Sequence, residues 1–437
     1  MNANTSSPRG LGPWMALSLV IGNLIGSGVY LLPATLAPLG INQLLGWLVT
    51  IAGALAMATV FARLGANRPL AGGPYAYVQA AFGPFAGFLA AWSYWVLLWA
   101  GNGAIAIAVV SNLSLVFPAI AGVPGLPACL AVGCVWALTL VNIAGVRKAG
   151  DVQLVTAAIK LVPLAAVIVL AIILAFSGVH PVAQVAVPIT GGRIAAAAGL
   201  TFWGFLGLEA ATVPADKVEN AAKVVPMATM VGTALTGAIY FAIALAFQLY
   251  MPADAAATSP APVAAFLGRH LGTAIAGTVA VFAAISAAGA LNGFILLQGE
   301  MPWAMARGGV FPRWFAKESA AGTPVRSHLV SSVLLSAVTL LNFGRGMGDL
   351  FQFIASVSLA AGMLSYGLTM VAAIRLLPNE RWLVPVALFA AAFTAWALWG
   401  LGLQAMGYGL VLLLLGLPIF WAVRRDSAGA VQRLPHD

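Results

Sequence analysis

Long apolar runs, separated by short polar segments, cover almost the whole chain. Most are about as long as the roughly 20 residues that an α-helix needs to cross a bilayer. We therefore predict twelve membrane-spanning helices, at residues 12–36, 41–66, 83–116, 127–146, 152–177, 193–216, 226–250, 271–305, 326–343, 348–376, 382–402 and 405–423.

Small and polar residues interrupt two of these runs near their middles. The first run contains GNLIGSG at residues 22–28, and the sixth contains TFWGFLGLE at residues 201–209. A broken helix leaves backbone groups that cost several kcal/mol each at membrane depth unless protein, water or ligand satisfies them. Spaced glycines alone would indicate close helix packing, but GNLIGSG is denser than packing needs and TFWGFLGLE includes a carboxylate. Interrupted segments at corresponding positions of two halves indicate the substrate site of a secondary transporter.

Composition supports a membrane protein that crosses the bilayer many times. Hydrophobic residues make up 62% of the 437 positions and charged residues only 7%, whereas a soluble domain has roughly a quarter charged residues. The runs leave no room for a soluble domain of any size. Cys129 and Cys134 fall in one span, which favours packing residues over a disulfide framework.

The positions of the basic residues predict the orientation, because cytoplasmic loops are enriched in lysine and arginine. With the N-terminus inside, sixteen of the 20 basic residues fall on the cytoplasmic side: Arg9, Arg63, Arg68, Arg147, Lys148, Lys217, Lys223, Arg307, Arg313, Lys317, Arg326, Arg375, Arg381, Arg424, Arg425 and Arg433. Only Arg193, Arg269 and Arg345 fall outside, and Lys160 lies within a span. Both termini are therefore expected in the cytoplasm. The net charge of +9 reflects this topology and does not indicate nucleic-acid binding.

The first ten predicted spans divide into two sets of five, each opening with a broken helix. Because five is odd, the second set is inverted relative to the first. We expect one transporter domain over residues 1–437, with inverted repeats at 12–177 and 193–376 and two further helices at 382–423.

Several stretches carry a resemblance to a known family. In chain order they are GNLIGSGVYLLPATLAPLG, GWLVTIAGALAMATVFARLG, AGGPYAYVQAAFGPFAGF, YWVLLWAGN, FWGFLGLEAATVPADKVENAAKVVPMAT and GGVFPRWFAKESAAGTPV. The chain resembles the amino acid–polyamine–organocation transporters, most closely the bacterial arginine/agmatine antiporter group. The resemblance implies their all-α fold with helices 1 and 6 broken.

By this resemblance, the two breaks recognise the invariant part of an amino acid. The half-helix after the first break points free N–H groups and a positive dipole end at the cavity, which favours a carboxylate. The amides around Ser27 and Gly28, with the Ser27 hydroxyl, would hold the α-carboxylate. The carbonyl groups of Leu24, Trp203 and Leu206 would accept hydrogen bonds from the α-ammonium.

The resemblance also implies the residues around the substrate side chain. The positions identical to site or gating residues of the arginine/agmatine antiporter are Asn23, Tyr94, Asn102, Trp203, Glu209 and Ser358. Phe294 stands where that antiporter has a tryptophan that stacks on the guanidinium, so a weaker cation–π partner is expected. Ile105 replaces a methionine and Gly204 a serine. These departures weaken the assignment of arginine as the substrate.

Two ionisable residues lie inside predicted spans, where they are costly and usually functional. Glu209 is expected to exchange protons and act at the inner gate, with a structural protonated carboxyl as the alternative. Lys160 is expected to reach the carbonyls of the unwound first helix in place of a sodium ion, which leaves proton symport and obligate exchange open. The alternative for Lys160 is a side chain that extends toward the membrane surface.

The leading hypothesis is a bacterial inner-membrane antiporter that exchanges a cationic amino acid for its decarboxylated amine. The runner-up is a proton-coupled or exchanging permease for neutral amino acids, and an ion channel is a hypothesis of another class. We predict no enzymatic activity, cofactor, metal ion or nucleic-acid partner. The expected partners are the lipid bilayer and a small amino acid or amine, and the resemblance allows a homodimer.

Overall fold

The structure is a computed structural model that describes residues 12–68, 73–144, 146–212, 218–320, 322–342 and 344–431. Its α-helices are α1 (Pro13–Leu24), α2 (Gly28–Leu36), α3 (Asn42–Asn67), α4 (Pro74–Phe82), α5 (Pro84–Val116), α6 (Ala119–Gly122), α7 (Leu126–Ile143), α8 (Val146–Phe176), α9 (Gly191–Phe202), α10 (Ala221–Tyr250), α11 (Ala253–Ala257), α12 (Pro262–Leu271), α13 (Thr273–Arg307), α14 (Val325–Leu341), α15 (Met347–Leu376), α16 (Leu383–Gly400), α17 (Leu403–Leu414) and α18 (Leu417–Val431).

The helices match the predicted spans closely. Over the described residues, 11 helical segments are long and apolar enough to cross a membrane, and α14 adds a shorter apolar helix of 17 residues. This arrangement confirms an all-helical membrane protein of about twelve spans. The segment before residue 12 and the end of the predicted sixth span, residues 213–216, lie outside the described residues. The division into two inverted repeats stays a prediction.

The helices pack as two groups, and the broken helices α1 and α9 belong to the first of them. In one group, α10 packs on α1 and α3, and α3 also packs on α9. In the other, the central helix α5 packs along both α13 and α15. The 33 residues of α5 are buried along most of their length, because neighbouring helices surround it. We call these the α3 group and the α5 group.

An ion pair joins the two groups at the end of α3. The Arg63 guanidinium donates to both carboxylate oxygens of Glu380, at 2.6 and 2.5 Å, and Asn67 Nδ2 donates to the same carboxylate at 2.9 Å. Glu380 lies in the turn between α15 and α16. Two parallel hydrogen bonds give this pair a defined geometry.

Candidate functional site

The first predicted break separates α1 from α2 between Leu24 and Gly28. The Gly26 N–H bonds to the Leu24 carbonyl at 3.0 Å instead of continuing the helical pattern to Gly22. The α2 helix then starts at Gly28, and the Tyr30 and Leu31 amides donate to the Ser27 carbonyl at 3.2 and 3.3 Å. The amides of Ser27, Gly28 and Val29 come before this helical pattern and are not used by it. The side chain of Ser27 is buried at this point. The break therefore offers backbone donors at a helix N-terminus to the protein interior.

The second predicted break follows α9, where a short 3-10 turn covers Trp203–Phe205 and a second one covers Ala210–Thr212. Between these turns, Leu206 is extended and Gly207 has a φ of +99°. Only glycine adopts this conformation without strain, and a Cβ at Gly207 would lie 2.8 Å from the Asn23 Cβ. The two breaks therefore cross in direct contact.

A cavity lies where the breaks meet α5 and α13. Eleven of the predicted site residues line it: Asn23, Leu24, Ser27, Gly28, Tyr94, Asn102, Ile105, Trp203, Leu206, Glu209 and Phe294. Its lining also includes Gly26, Leu97, Leu98, Gly101 and Tyr366.

Three predicted site residues lie outside this lining. A Cβ on Gly204 would point at the Tyr240 ring, 2.7 Å from its Cε2, and not into the cavity. The absence of a side chain at Gly204 therefore does not change the cavity lining. Ser358 lies behind Gly101 and donates to the Ala355 carbonyl at 3.0 Å. Lys160 lies on the far side of the first break. These three residues reach the cavity only through their neighbours.

Tyr240 connects the two breaks from behind. Its ring occupies the space next to Gly204, and its hydroxyl donates to the Leu24 carbonyl at 2.6 Å. Since Leu24 also accepts from Gly26, both lone pairs of its carbonyl oxygen are used. The predicted bond from a substrate ammonium to Leu24 would have to displace one of them. The carbonyls of Trp203 and Leu206 are left as the better candidates of the three.

Trp203 closes the cavity on one side. Its Nε1 donates to Ser27 Oγ at 3.3 Å, and its ring meets Phe351 edge to face with 6.0 Å between centroids. Beyond Phe351 lies a second and larger space of about 1020 Å³ that includes Leu31 and Asp349. The two aromatic rings therefore separate the cavity from a vestibule at the N-terminal end of α15.

Glu209 closes the cavity on the opposite side. Its carboxylate oxygens accept hydrogen bonds from Tyr94 at 2.7 Å and from Tyr366 at 3.0 Å. The carboxylate is 1% exposed, and both tyrosines belong to the α5 group whereas Glu209 lies in the second break. Separation of the two groups at this end would break both hydrogen bonds. These two hydrogen bonds therefore join the second break to the α5 group on this side of the cavity.

Lys160 holds the first break from the α8 side. Its ammonium donates to the Gly22 carbonyl at 2.6 Å, and its own carbonyl accepts from the Tyr30 hydroxyl at 2.8 Å. Gly22 is the residue whose helical hydrogen bond is lost at the break. The side chain is 1% exposed, so it does not extend to the membrane surface. The Lys160 Nζ thus satisfies the backbone carbonyl that the first break leaves without its helical partner.

We expect transport to need no sodium, because the Lys160 ammonium already satisfies the Gly22 carbonyl. Replacing Lys160 with alanine removes a charged hydrogen bond of about 1.5–3 kcal/mol and should slow uptake about tenfold or more. Lys223→Ala, at an exposed lysine of α10, is the matched control and should transport normally. Uptake into proteoliposomes under sodium, potassium or choline gradients tests both statements. Stimulation by sodium but not by potassium would contradict this role of Lys160.

Sequence reasoning missed Tyr366, Phe351, Tyr240 and Gln298, all of which lie at or directly behind the cavity. Tyr366 follows Ser358 by eight residues on α15, a spacing that turns the two side chains about 80° apart around the helix. No spacing rule connects Tyr240 with Leu24, because that contact depends on how α10 packs against α1.

Comparisons with known proteins agree with this architecture. The profile of the amino acid permease family matches residues 11–420. The cadaverine/lysine antiporter of Escherichia coli (strain K12) is 33% identical over 375 residues, which cover 83% of this chain and 82% of that protein. The putrescine transporter PotE is 28% identical in Haemophilus influenzae, over 92% of this chain and 94% of that protein. PotE of Escherichia coli (strain K12) is 26% identical over 97% and 98% of the two chains. The chain therefore belongs to the amino acid permease family, whose members are membrane transporters and not enzymes.

Proposed function

We propose that this protein exchanges a cationic amino acid for its decarboxylated amine by alternating access. The observation that carries the proposal is the cavity at the crossing of the two broken helices. Sites of this kind lie near mid-membrane in secondary transporters, where free backbone groups meet the charged ends of the substrate. The protein would act in the bacterial inner membrane with both termini in the cytoplasm, as a monomer or as a homodimer.

The α-carboxylate would lie against the amides of Ser27 and Gly28. These amides open α2, so their free N–H groups and the positive end of the helix dipole favour an anion. The α-ammonium would lie near the carbonyls of Trp203 and Leu206. Because a decarboxylated amine lacks the carboxylate, it would use only the remaining contacts, which suits release after exchange.

The lining residues that would surround the substrate side chain favour a cationic group. Phe294 offers an aromatic face, Asn102 offers a carboxamide, and Glu209 lies in the same lining. Within this class the sequence favoured arginine with agmatine, but the relative at 33% identity is named for lysine and cadaverine. Two other relatives are named for putrescine, which is also a primary diamine. We therefore favour a substrate that ends in an ammonium group over one that ends in a guanidinium.

Alternating access would proceed by rocking the α3 group against the α5 group. On one side the movement would separate Trp203 from Phe351 and join the cavity to the vestibule. On the other side it would separate Glu209 from Tyr94 and Tyr366. Only one side opens at a time in this scheme.

We expect substitutions at Phe294 to separate cationic from neutral substrates. Phe294→Trp should tighten lysine and diamine binding and Phe294→Leu should weaken it, by about 1 kcal/mol for a cation–π contact. Competition binding of lysine, cadaverine and leucine to the purified variants measures the effect. Equal changes for lysine and leucine would mean that Phe294 acts by packing alone.

A permease for neutral amino acids is the second candidate. Much of the far lining is apolar, through Leu97, Leu98 and Ile105. An apolar side chain such as that of leucine would fill this space without needing a partner for a buried charge. The two candidates differ in what the cavity should accept and in whether a diamine drives uptake.

Counterflow in proteoliposomes separates them. Vesicles are loaded with unlabelled lysine, arginine, cadaverine, putrescine, agmatine or leucine, and uptake of labelled lysine and leucine is measured. The proposal predicts rapid lysine uptake only into vesicles that hold a cationic amino acid or a diamine. Leucine uptake into leucine-loaded vesicles, without lysine–diamine exchange, would support the neutral permease instead.

A further inference from the structure

Only the amino end of the Asn102 carboxamide has a hydrogen-bond partner among the described residues. Asn102 lines the cavity from α5 and is 1% exposed. Its Nδ2 donates to Gln298 Oε1 at 2.8 Å, whereas its Oδ1 is buried and has no hydrogen-bond partner among the described residues. Since a carboxamide has a donor end and an acceptor end, the end that is left for a ligand is the acceptor.

Gln298 determines which end that is. It lies on α13 one turn after Phe294, is fully buried, and does not line the cavity. Its Nε2 donates to Ser332 Oγ at 3.2 Å, and Ser332 shares a 2.8 Å hydrogen bond with Thr139. With its amino group turned to Ser332, Gln298 can present only its oxygen to Asn102.

A second contact holds the backbone of Gln298 in place. Its carbonyl accepts from Ser331 Oγ at 3.2 Å, and Ser331 Oγ accepts from Trp95 Nε1 at 2.9 Å. Gln298 is thus held by α14 and α5, and through Ser332 it is connected to Thr139 on α7. A network in which each member has its partners defines one arrangement of its side chains.

An unpartnered buried acceptor selects the ligand that satisfies it. Desolvation of the Asn102 oxygen is unfavourable unless a donor reaches it, and a charged donor gives the stronger hydrogen bond. We propose that Gln298 is a positioning residue that turns the Asn102 oxygen toward the cavity and so selects substrates with a distal ammonium. This proposal rests on the proposed function. It names Asn102 and Gln298 as the residues that select a cationic side chain.

Lysine and norleucine provide the test, because norleucine has the same four-carbon side chain without the terminal ammonium. Competition binding to the purified full chain gives the ratio of their affinities for the wild type, Gln298→Met and Gln298→Glu. Met keeps the size of the side chain but removes both hydrogen bonds, whereas Glu keeps acceptor oxygens facing Asn102. We expect the ratio to fall about tenfold in Gln298→Met, with norleucine affinity nearly unchanged, and to be retained in Gln298→Glu.

Gln43→Met is the matched control. Gln43 is also buried and bonded through its side chain, to Gln248 at 2.9 Å, but it lies away from the cavity, so the ratio should not change. If Gln298→Met fails to fold, Ser332→Ala removes the anchor of the Gln298 amino group and should lower the same ratio.

The outcomes separate this inference from the proposed function. A wild type that binds norleucine as well as lysine contradicts the proposed function itself. A wild type that prefers lysine, with the same preference in Gln298→Met, overturns only the positioning role. Equal loss of lysine and norleucine in both Gln298 variants, or a preference for side chains that carry an acceptor, would also overturn it.

Discussion

Gly28→Leu should abolish substrate binding while leaving the protein folded in detergent. Gly28 begins α2 at the first break and lies in the cavity lining. A Cβ at this position would lie 2.9 Å from Trp203 Cδ1 and 3.6 Å from the Gly204 Cα. A larger side chain must therefore push Trp203 away or enter the space in front of the free amides.

Both consequences remove the proposed carboxylate site. Displacement of Trp203 breaks its hydrogen bond to Ser27, and a leucine side chain would shield the N-terminus of α2 from an anion. We expect affinity for lysine to fall by about 100-fold or more, since a charged group loses several hydrogen bonds at once. Gly28→Ala should give an intermediate loss.

Gly133→Leu is a suitable control for the Gly28 variants. Gly133 lies on α7, and a Cβ there would meet no atom within 4 Å. Its lysine affinity should equal that of the wild type, and both variants should elute from a sizing column as the wild type does. Normal binding by folded Gly28→Leu would move the carboxylate site away from the first break.

Glu209→Gln should transport slowly and almost independently of pH between pH 5 and pH 8. Glutamine keeps the shape of the side chain, and its oxygen and amino group can still bond to the hydroxyls of Tyr94 and Tyr366. What it loses is the ability to gain and release a proton in the buried gate. A wild type whose turnover depends on that proton exchange should show a pH-dependent rate that the variant lacks.

Binding and turnover should respond differently to this substitution. If Glu209 acts as a gate, lysine affinity falls less than the turnover rate, which we expect to drop about tenfold or more. Tyr94→Phe and Tyr366→Phe each remove one gate hydrogen bond but leave the carboxylate, so they should alter the rate and keep a pH dependence. Uptake measured at several pH values with equal internal and external pH distinguishes these cases.

An unchanged rate and pH profile in Glu209→Gln would make the carboxylate structural. The proton-sensitive group would then have to be sought elsewhere, with Lys160 beside the first break as the next candidate.

The fold was predictable because hydrophobic length is a strong signal in membrane proteins. Most predicted spans begin and end within a few residues of a helix in the structure, although the twelfth span is divided into α17 and α18 and α18 continues to Val431. GNLIGSG and TFWGFLGLE mark the two breaks where α1 and α9 end. The small residues there lack the side chains that would pack a continuous helix, so the interruption is visible in the sequence itself.

The cavity lining was predictable for residues on the breaks and for those placed by resemblance. Gly204 and Ser358 show the limit, because a position on the right helix turn can still face away from the cavity. The direction of a side chain depends on the rotation of its helix, which neighbours such as Tyr240 determine.

The residues directly behind the cavity lining could not be predicted from the sequence. Gln298 and Ser332 are separated from Asn102 by about 200 residues or more, and their hydrogen bonds depend on how α5, α13 and α14 meet. A buried glutamine in an apolar span is a weak signal by itself, since it also suits simple helix packing.

A structure of the protein with bound lysine tests the central claim most directly. Electron cryomicroscopy of the purified protein in lipid nanodiscs, with and without saturating lysine, would locate the added density. The account predicts the carboxylate against the amides of Ser27 and Gly28 and the distal ammonium near Phe294 and Asn102. Lysine density elsewhere, with the space between the two breaks unchanged, would contradict it.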